Sequence, residues 1–318
     1  MAVLLLLMVV GCAAPGPAGS PAKAVAYVAA DDGSLFARHA PVIVPADPTQ
    51  AFNRVGTPAA RLDDRGHEEI YVDPEQPVFF VQRRDFETGG GRYTNLIYRL
   101  HFQRVPFPHL TAGRNGGLMI VLTLDREEQL LLVTTVHTCG CYLAMVPTTR
   151  LPATAWPEGW NPAGQRVFGI HLPGHLDLPR DGGNGRLAVF LRHATHRVAD
   201  LRLLEPAALA AYHQVRTPLR PMAALDRLPL RGGGTTSFFH ATGPSRGYVK
   251  NAFKPLEFLL MSWWVLDPHV GVDKRYGPGT TTGTRFYTSL WPWYRSASDM
   301  WEFPDFLRFW GWRFGAED

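Results

Sequence analysis

The sequence predicts an α+β protein, with a mainly antiparallel β-sheet core followed by a helical, aromatic-rich C-terminal region. Three observations carry that prediction. Apolar and polar residues alternate with strand period from Ala24 to about Leu204. Longer apolar segments with helix-start residues appear after Glu205. Trp291, Trp293, Trp301, Trp310 and Trp312 then crowd into the stretch from Arg285 to Phe314. The 318 residues, 46% of them hydrophobic and 19% charged, suit a single globular body over 26–318, β-rich over 26–204 and helical over 205–318.

The strand signals come in order. "QPVFFVQRR" (Gln76 to Arg84) is aromatic and β-branched, and "TGGGR" follows with turn glycines. In "YTNLIYRLHFQRV" (Tyr93 to Val105), Leu96, Tyr98, Leu100 and Phe102 fall on one face, and Arg99, His101 and Gln103 on the other. "GGLMIVLTL", the polar "DREEQ" and "LLLVTTVHTCGCYLAMV" predict a long hairpin, apolar on both faces and therefore central and covered. A Pro/Trp-rich connection runs from Pro147 to about Pro179, and "GRLAVFLRHATHRVADLRLL" returns to strand character.

Helix signals follow. "EPAALAAYHQV" (Glu205 to Val215) predicts a short helix, with Glu205 and Pro206 suited to its first turn. "KNAFKPLEFLLMSWWVL" predicts another with a proline near its start. "SASDMWEFPDFLRFWGWRF" predicts a third, entered at Ser298 or Asp299 and interrupted by Pro304.

The N-terminus is of a different kind. Its apolar run, Ala2 to Val10, is far shorter than the roughly 20 residues that span a hydrocarbon core, but it suits the apolar region of a secretory signal. Val9-Val10-Gly11-Cys12 resembles the bacterial lipobox. The resemblance implies a signal peptide over 1–11, acylation of Cys12 and a membrane-anchored envelope lipoprotein. Ala13, rather than Asp, follows the cysteine, which in a Gram-negative host implies the periplasmic face of the outer membrane. No Lys or Arg precedes the apolar run, so either the α-amino group supplies the positive end or the true start lies upstream of Met1. Residues 12–25, rich in Pro, Gly and Ala, form the tether.

Composition excludes two partner classes. A net charge of +4, with basic residues scattered singly, gives no footprint for nucleic acid. The glycine clusters hold no phosphate-loop lysine and no G-x-G-x-x-G opening a helix, so nucleotide binding has no support.

The candidate chemistry centres on "VHTCGCY" (Val136 to Tyr142). If Val133 to Val146 is one strand, His137, Cys139 and Cys141 project from one face, a donor set suited to Zn or Cu. Residues two apart in a strand stand about 6.6–6.8 Å apart, at the limit for a disulfide. A bend at Gly140 would allow a strained, easily reduced disulfide, so the segment suits thiol-redox as well as metal chemistry, and burial as plain core is the remaining reading. A metal site needs a further ligand, for which His101, His171, His175, His193 and His196 are candidates.

"GPSRG" (Gly243 to Gly247) matches the G-x-S-x-G string around a nucleophilic serine, here Ser245. Only His269 lies downstream, with Asp267 two residues before it, and the alternating β/α pattern is missing, so a plain turn is the better expectation. The loop "LDPHVGVDKRYG" carries Asp267, His269, Asp273 and Lys274. The aromatic stretch Arg285 to Phe314 suits a hydrophobic ligand, a protein partner or the membrane interface, or else packing over the sheet.

Overall fold

The computed structural model describes residues 24–179, 183–230 and 233–315; the expected signal peptide, the lipidated Cys12 and nearly all of the tether lie outside the described residues. Val25 already opens β1 (Val25–Ala29), so the tether ends just before the boundary expected at 25. The chain continues through α1 (Leu35–His39), β2 (Val42–Pro45) and the hairpin of β3 (Thr57–Leu62) and β4 (Glu68–Asp73). Then comes an antiparallel meander: β5 (Phe79–Thr88), β6 (Gly91–Val105), β7 (Gly113–Leu124), β8 (Leu130–His137) and β9 (Ala144–Pro147). A small hairpin of β10 (Gln165–Val167) and β11 (Ile170–Leu172) precedes β12 (Arg186–Leu191) and β13 (Val198–Leu204). Next come α2 (Pro206–Ala210), β14 (His213–Thr217) and β15 (Leu219–Pro221). The remainder holds α3 (Pro255–Val265), α4 (Gly279–Thr282) and α5 (Phe303–Phe309) among turns.

Two sheets dominate among the described residues. The larger has the order β15-β5-β6-β7-β8-β9, and the smaller β13-β12-β2-β1-β14. β14 and β15, separated only by Pro218, thus close one edge of each sheet. On the first face of the larger sheet, Leu96, Tyr98, Leu100 and Phe102 of β6 pack with Tyr27, Ile43, Val189 and Leu201 of the smaller one, the arrangement of a sandwich. On the second face, Ile97, Met119, Val121 and Val136 meet Phe238, Phe286, Phe303 and Trp312 from the C-terminal part. The β7–β8 hairpin is covered on both sides, as its doubly apolar pattern requires.

The described structure is mostly β, 39% strand against 16% helix, with the few helices largely in the C-terminal part; this fits the α+β class loosely. The region after 205 is therefore far less helical than expected, and each shortfall has a local cause. The helix expected through Val215 stops at Ala210 because His213–Thr217 pairs in parallel with Val25–Ala29, gaining a full ladder of backbone hydrogen bonds. Pro304 does not interrupt a helix begun at Ser298. It stands in the first turn of α5, where a missing N–H costs nothing.

Candidate functional site

The strand expected to run from Val133 to Val146 breaks at His137. The His137 N–H donates to the Cys141 carbonyl at 2.9 Å, and the Gly140 N–H donates back to the His137 carbonyl at 2.7 Å, so "HTCGC" is a tight turn. Gly140 has φ +95°, which side-chain-bearing residues rarely adopt, and a Cβ there would run into the Tyr287 carbonyl. The shared face expected for His137, Cys139 and Cys141 is therefore not formed. The ring of His137 turns instead to the carbonyl of His196, 3.3 Å from its Nε2, and to the edge of Tyr142.

The other histidines disperse. His101 is buried against Phe80 and Phe238 and accepts from Arg99 Nε at 3.1 Å. His196 stacks on Phe102 and donates to the Phe52 carbonyl. His175 bonds Asp177 and the Pro162 carbonyl, His193 meets Asn53, and His171 is exposed. Among the described residues, no three His, Cys, Asp or Glu side chains are grouped as a metal ion needs. The single strand that would align His137, Cys139 and Cys141 toward Zn or Cu ends at His137.

What the turn does assemble is a buried ionic network. Asp273 accepts from Thr138 Oγ1 at 2.5 Å and lies 3.3 Å from the ammonium of Lys254, which itself stands 3.9 Å from Glu257. The Lys274 ammonium bonds the Cys139 carbonyl and lies 4.1 Å from the centre of the Tyr287 ring, while Arg99 donates to the Lys274 carbonyl at 2.7 Å. Burial opposes the charge on Lys254, but Asp273, Cys139 and Glu257 together hold its proton well above the usual lysine range. Burial pushes Lys274 down and Glu257 up. Charges removed from water are tolerable only when paired in this way.

The two thiols are free and hydrogen-bonded to each other. That bond from Cys141, helped by Lys254, lowers the Cys139 thiol below its ordinary range; the same bond and burial push Cys141 well above it. Beside them opens a cavity of about 500 Å³, walled by Cys141, Met145, Trp160, Glu257, Met261 and Trp312. Leu110, Phe168 and Trp310 line it as well, and all three are exposed. Glu257 is buried, and its Oε2 has no hydrogen-bond partner among the described residues. An apolar wall with very few polar groups, at this size, is the usual make-up of a ligand site.

The same helix that supplies Glu257 and Met261 turns an apolar face outward. Leu259, Leu260, Trp263 and Leu266 are exposed, Trp263 by 72%. Nearby, Trp291 stacks on Trp293 and meets Trp264 edge-on. The aromatic stretch thus divides: Phe303, Phe306 and Trp312 are core, while Trp291, Trp293 and Tyr294 are exposed.

Ser245 is a surprise of another kind. Its Oγ lies 2.9 Å from His269 Nε2, and His269 Nδ1 lies 3.9 Å from Asp267, so the fold does bring this trio together. It is not a strand-to-helix elbow, however. The N–H groups of Arg246, Gly247 and Tyr248 close on the carbonyls of Gly243, His240 and Ser245, and none of the three is left to stabilise an oxyanion. Asp267 is engaged by the Tyr287 hydroxyl and by the backbone N–H of His269.

Lys254 and Glu257 escaped sequence reasoning, although one signal was available: Glu257 is the sole charged residue of the helix from Pro255 to Val265. Comparison with family models, curated proteins and solved structures gives no match in any of the three. No helix among the described residues is long and apolar enough to cross a membrane.

Proposed function

We propose that the chain is a lipid-anchored lipoprotein of the bacterial cell envelope that binds an apolar, chain-like ligand without transforming it. In this reading the β-rich part is a scaffold and the C-terminal part is the binding layer, which is the α+β division at its most useful. The observation that carries the proposal is the position of α3. It walls the cavity with Glu257 and Met261 and, on its other side, exposes Leu259, Leu260 and Trp263, with Leu266 exposed just past its end. Exposed apolar surface of this extent marks a contact site, because water gains nothing by wetting it. A ligand arriving from an apolar phase meets that surface first and the exposed cavity rim of Leu110, Phe168 and Trp310 next. The lipobox supports the location, since acylation at Cys12 would hold the body beside a bilayer.

The test is a titration with a fluorescent polyene fatty acid. The expected result is saturable binding that weakens by about tenfold, roughly 1.4 kcal/mol, in Met261→Trp, which fills the cavity. Binding that never saturates, or that Met261→Trp leaves unchanged, overturns the proposal.

A further inference from the structure

We infer that Cys139 and Cys141 form a redox-active dithiol that exchanges with small disulfides reaching it through the cavity. This inference goes beyond ligand binding and requires only that the cavity admit solutes.

Geometry carries the argument. In a straight strand the two thiols would stand at the limit of bridging and point in parallel. The turn removes the straight-strand geometry, because it bends the chain at Gly140 and closes His137 to Cys141 into one loop with the two cysteines on either side of the glycine. The turn is also held from outside. Its ends are tied by the bond from the His137 N–H to the Cys141 carbonyl, Thr138 is bonded to Gly117 and Asp273, and the Cys139 carbonyl is gripped by Lys274. The pair is thus preorganised, with little chain entropy left to lose on closure.

Access divides the roles. Cys141 forms part of the cavity wall and is half-buried, whereas Cys139 is only 2% exposed. Loss of one proton from the pair leaves a negative charge that the remaining S–H and the Lys254 ammonium both stabilise. The same cations argue against a metal ion, which would have to sit beside Lys254 and Lys274.

The chemistry balances as follows. With one proton gone from the pair, Cys141 attacks one sulfur of an incoming disulfide as its own proton passes to the Cys139 thiolate, forming a mixed disulfide and expelling the other sulfur as a thiolate. The Cys139 sulfur, as its own proton leaves, then attacks the Cys141 sulfur and expels the second thiolate. The protein loses two electrons and two protons overall, and the oxidant gains them as two free thiols. The reverse sequence reduces a disulfide at the expense of the dithiol.

The experiment uses the chain with Cys12→Ala, so that Cys139 and Cys141 are the only thiols. Reduced protein is incubated with oxidised glutathione, quenched in acid, alkylated after denaturation and weighed intact. The wild-type pair is expected to lose the mass of two hydrogens, resist alkylation and carry no glutathione. Cys139→Ser should trap one glutathione on Cys141, and Cys141→Ser should react about tenfold more slowly, because its remaining thiol lies behind the wall. Serine is near-isosteric with cysteine, and an unchanged circular dichroism spectrum in both variants shows that the fold is kept. Two thiols that stay alkylatable, a glutathione adduct that persists on the wild-type pair, or a Cys141→Ser variant that reacts as fast as Cys139→Ser would each overturn the inference.

Discussion

The two faces of the large sheet are covered in different ways, and they bury different chemistry. One face meets a second sheet, and Leu96, Tyr98, Leu100 and Phe102 pack there mainly with other apolar side chains, with His196 stacked on Phe102. The other meets a layer of turns and short helices, and there Arg99, His101, Lys254, Glu257, Asp273 and Lys274 are buried beside phenylalanines. Regular strands satisfy their own backbone groups, so a sheet can cover a sheet with apolar side chains alone. A layer of turns leaves backbone carbonyls unpaired, and buried cations come in to bond them, as Lys274 does for Cys139 and Arg99 does for Lys274. The buried charges thus gather on the second face.

The largest break in that contrast should come from Asp273→Ala, which leaves the Lys254 ammonium without its 3.3 Å partner. Removing one member of a buried pair costs about 3–5 kcal/mol. On the sandwich face, Tyr98→Phe deletes only the bond to the Phe36 carbonyl and should cost about 1 kcal/mol. Urea denaturation measures both, and equal costs would erase the distinction.

Acid gives a smaller effect with a definite sign. Burial pushes His137 and His196 down to about 3 from an ordinary value of 6.5. Between those values the unfolded chain binds protons that the folded chain refuses, so their contribution is complete above pH 6.5 and is lost as pH falls toward 3. Each histidine should add about 1.4 kcal/mol of lost stability per pH unit across that window. His137→Gln should flatten the slope in a denaturation series from pH 7 to pH 4, and an unaltered slope would show that His137 protonates freely in the fold.

The smallest effect sharpens the comparison from outside. Leu259→Ser with Trp263→Ser alters only exposed side chains, so stability should shift by no more than about 0.5 kcal/mol each. Binding of the apolar probe should nonetheless weaken. A loss of several kcal/mol in urea would mean that these residues are packed rather than presented.

How far the sequence alone reached differs between the faces in the same way. Strand period read the sandwich face correctly at Leu96, Tyr98, Leu100 and Phe102, because alternation is a local property of the chain. It read Arg99 and His101 as a polar face, yet both are buried, because their cover comes from residues such as Phe238 and Phe239 more than 100 positions later. At "HTCGC" the same rule predicts one strand with a bend allowed at Gly140, and the bend is what forms: a positive φ at Gly140 turns the chain there. The Ser245–His269 contact joins two turns 24 residues apart, and nothing in their local spacing announces it. The site was legible as residue types and illegible as an arrangement.

The short passage from β14 to β15 has a mechanical consequence. Within nine residues, His213 to Pro221, the chain leaves the edge of one sheet, crosses Pro218 and becomes the edge of the other. The Thr217 carbonyl accepts from Ala30 and the Pro218 carbonyl from Phe79, so the crossing is bonded to both sheets at once. It is a covalent strap between the sheets: a pull applied to one edge strand is passed through Pro218 to the other, and a single cut there would leave each strand held only by its own ladder.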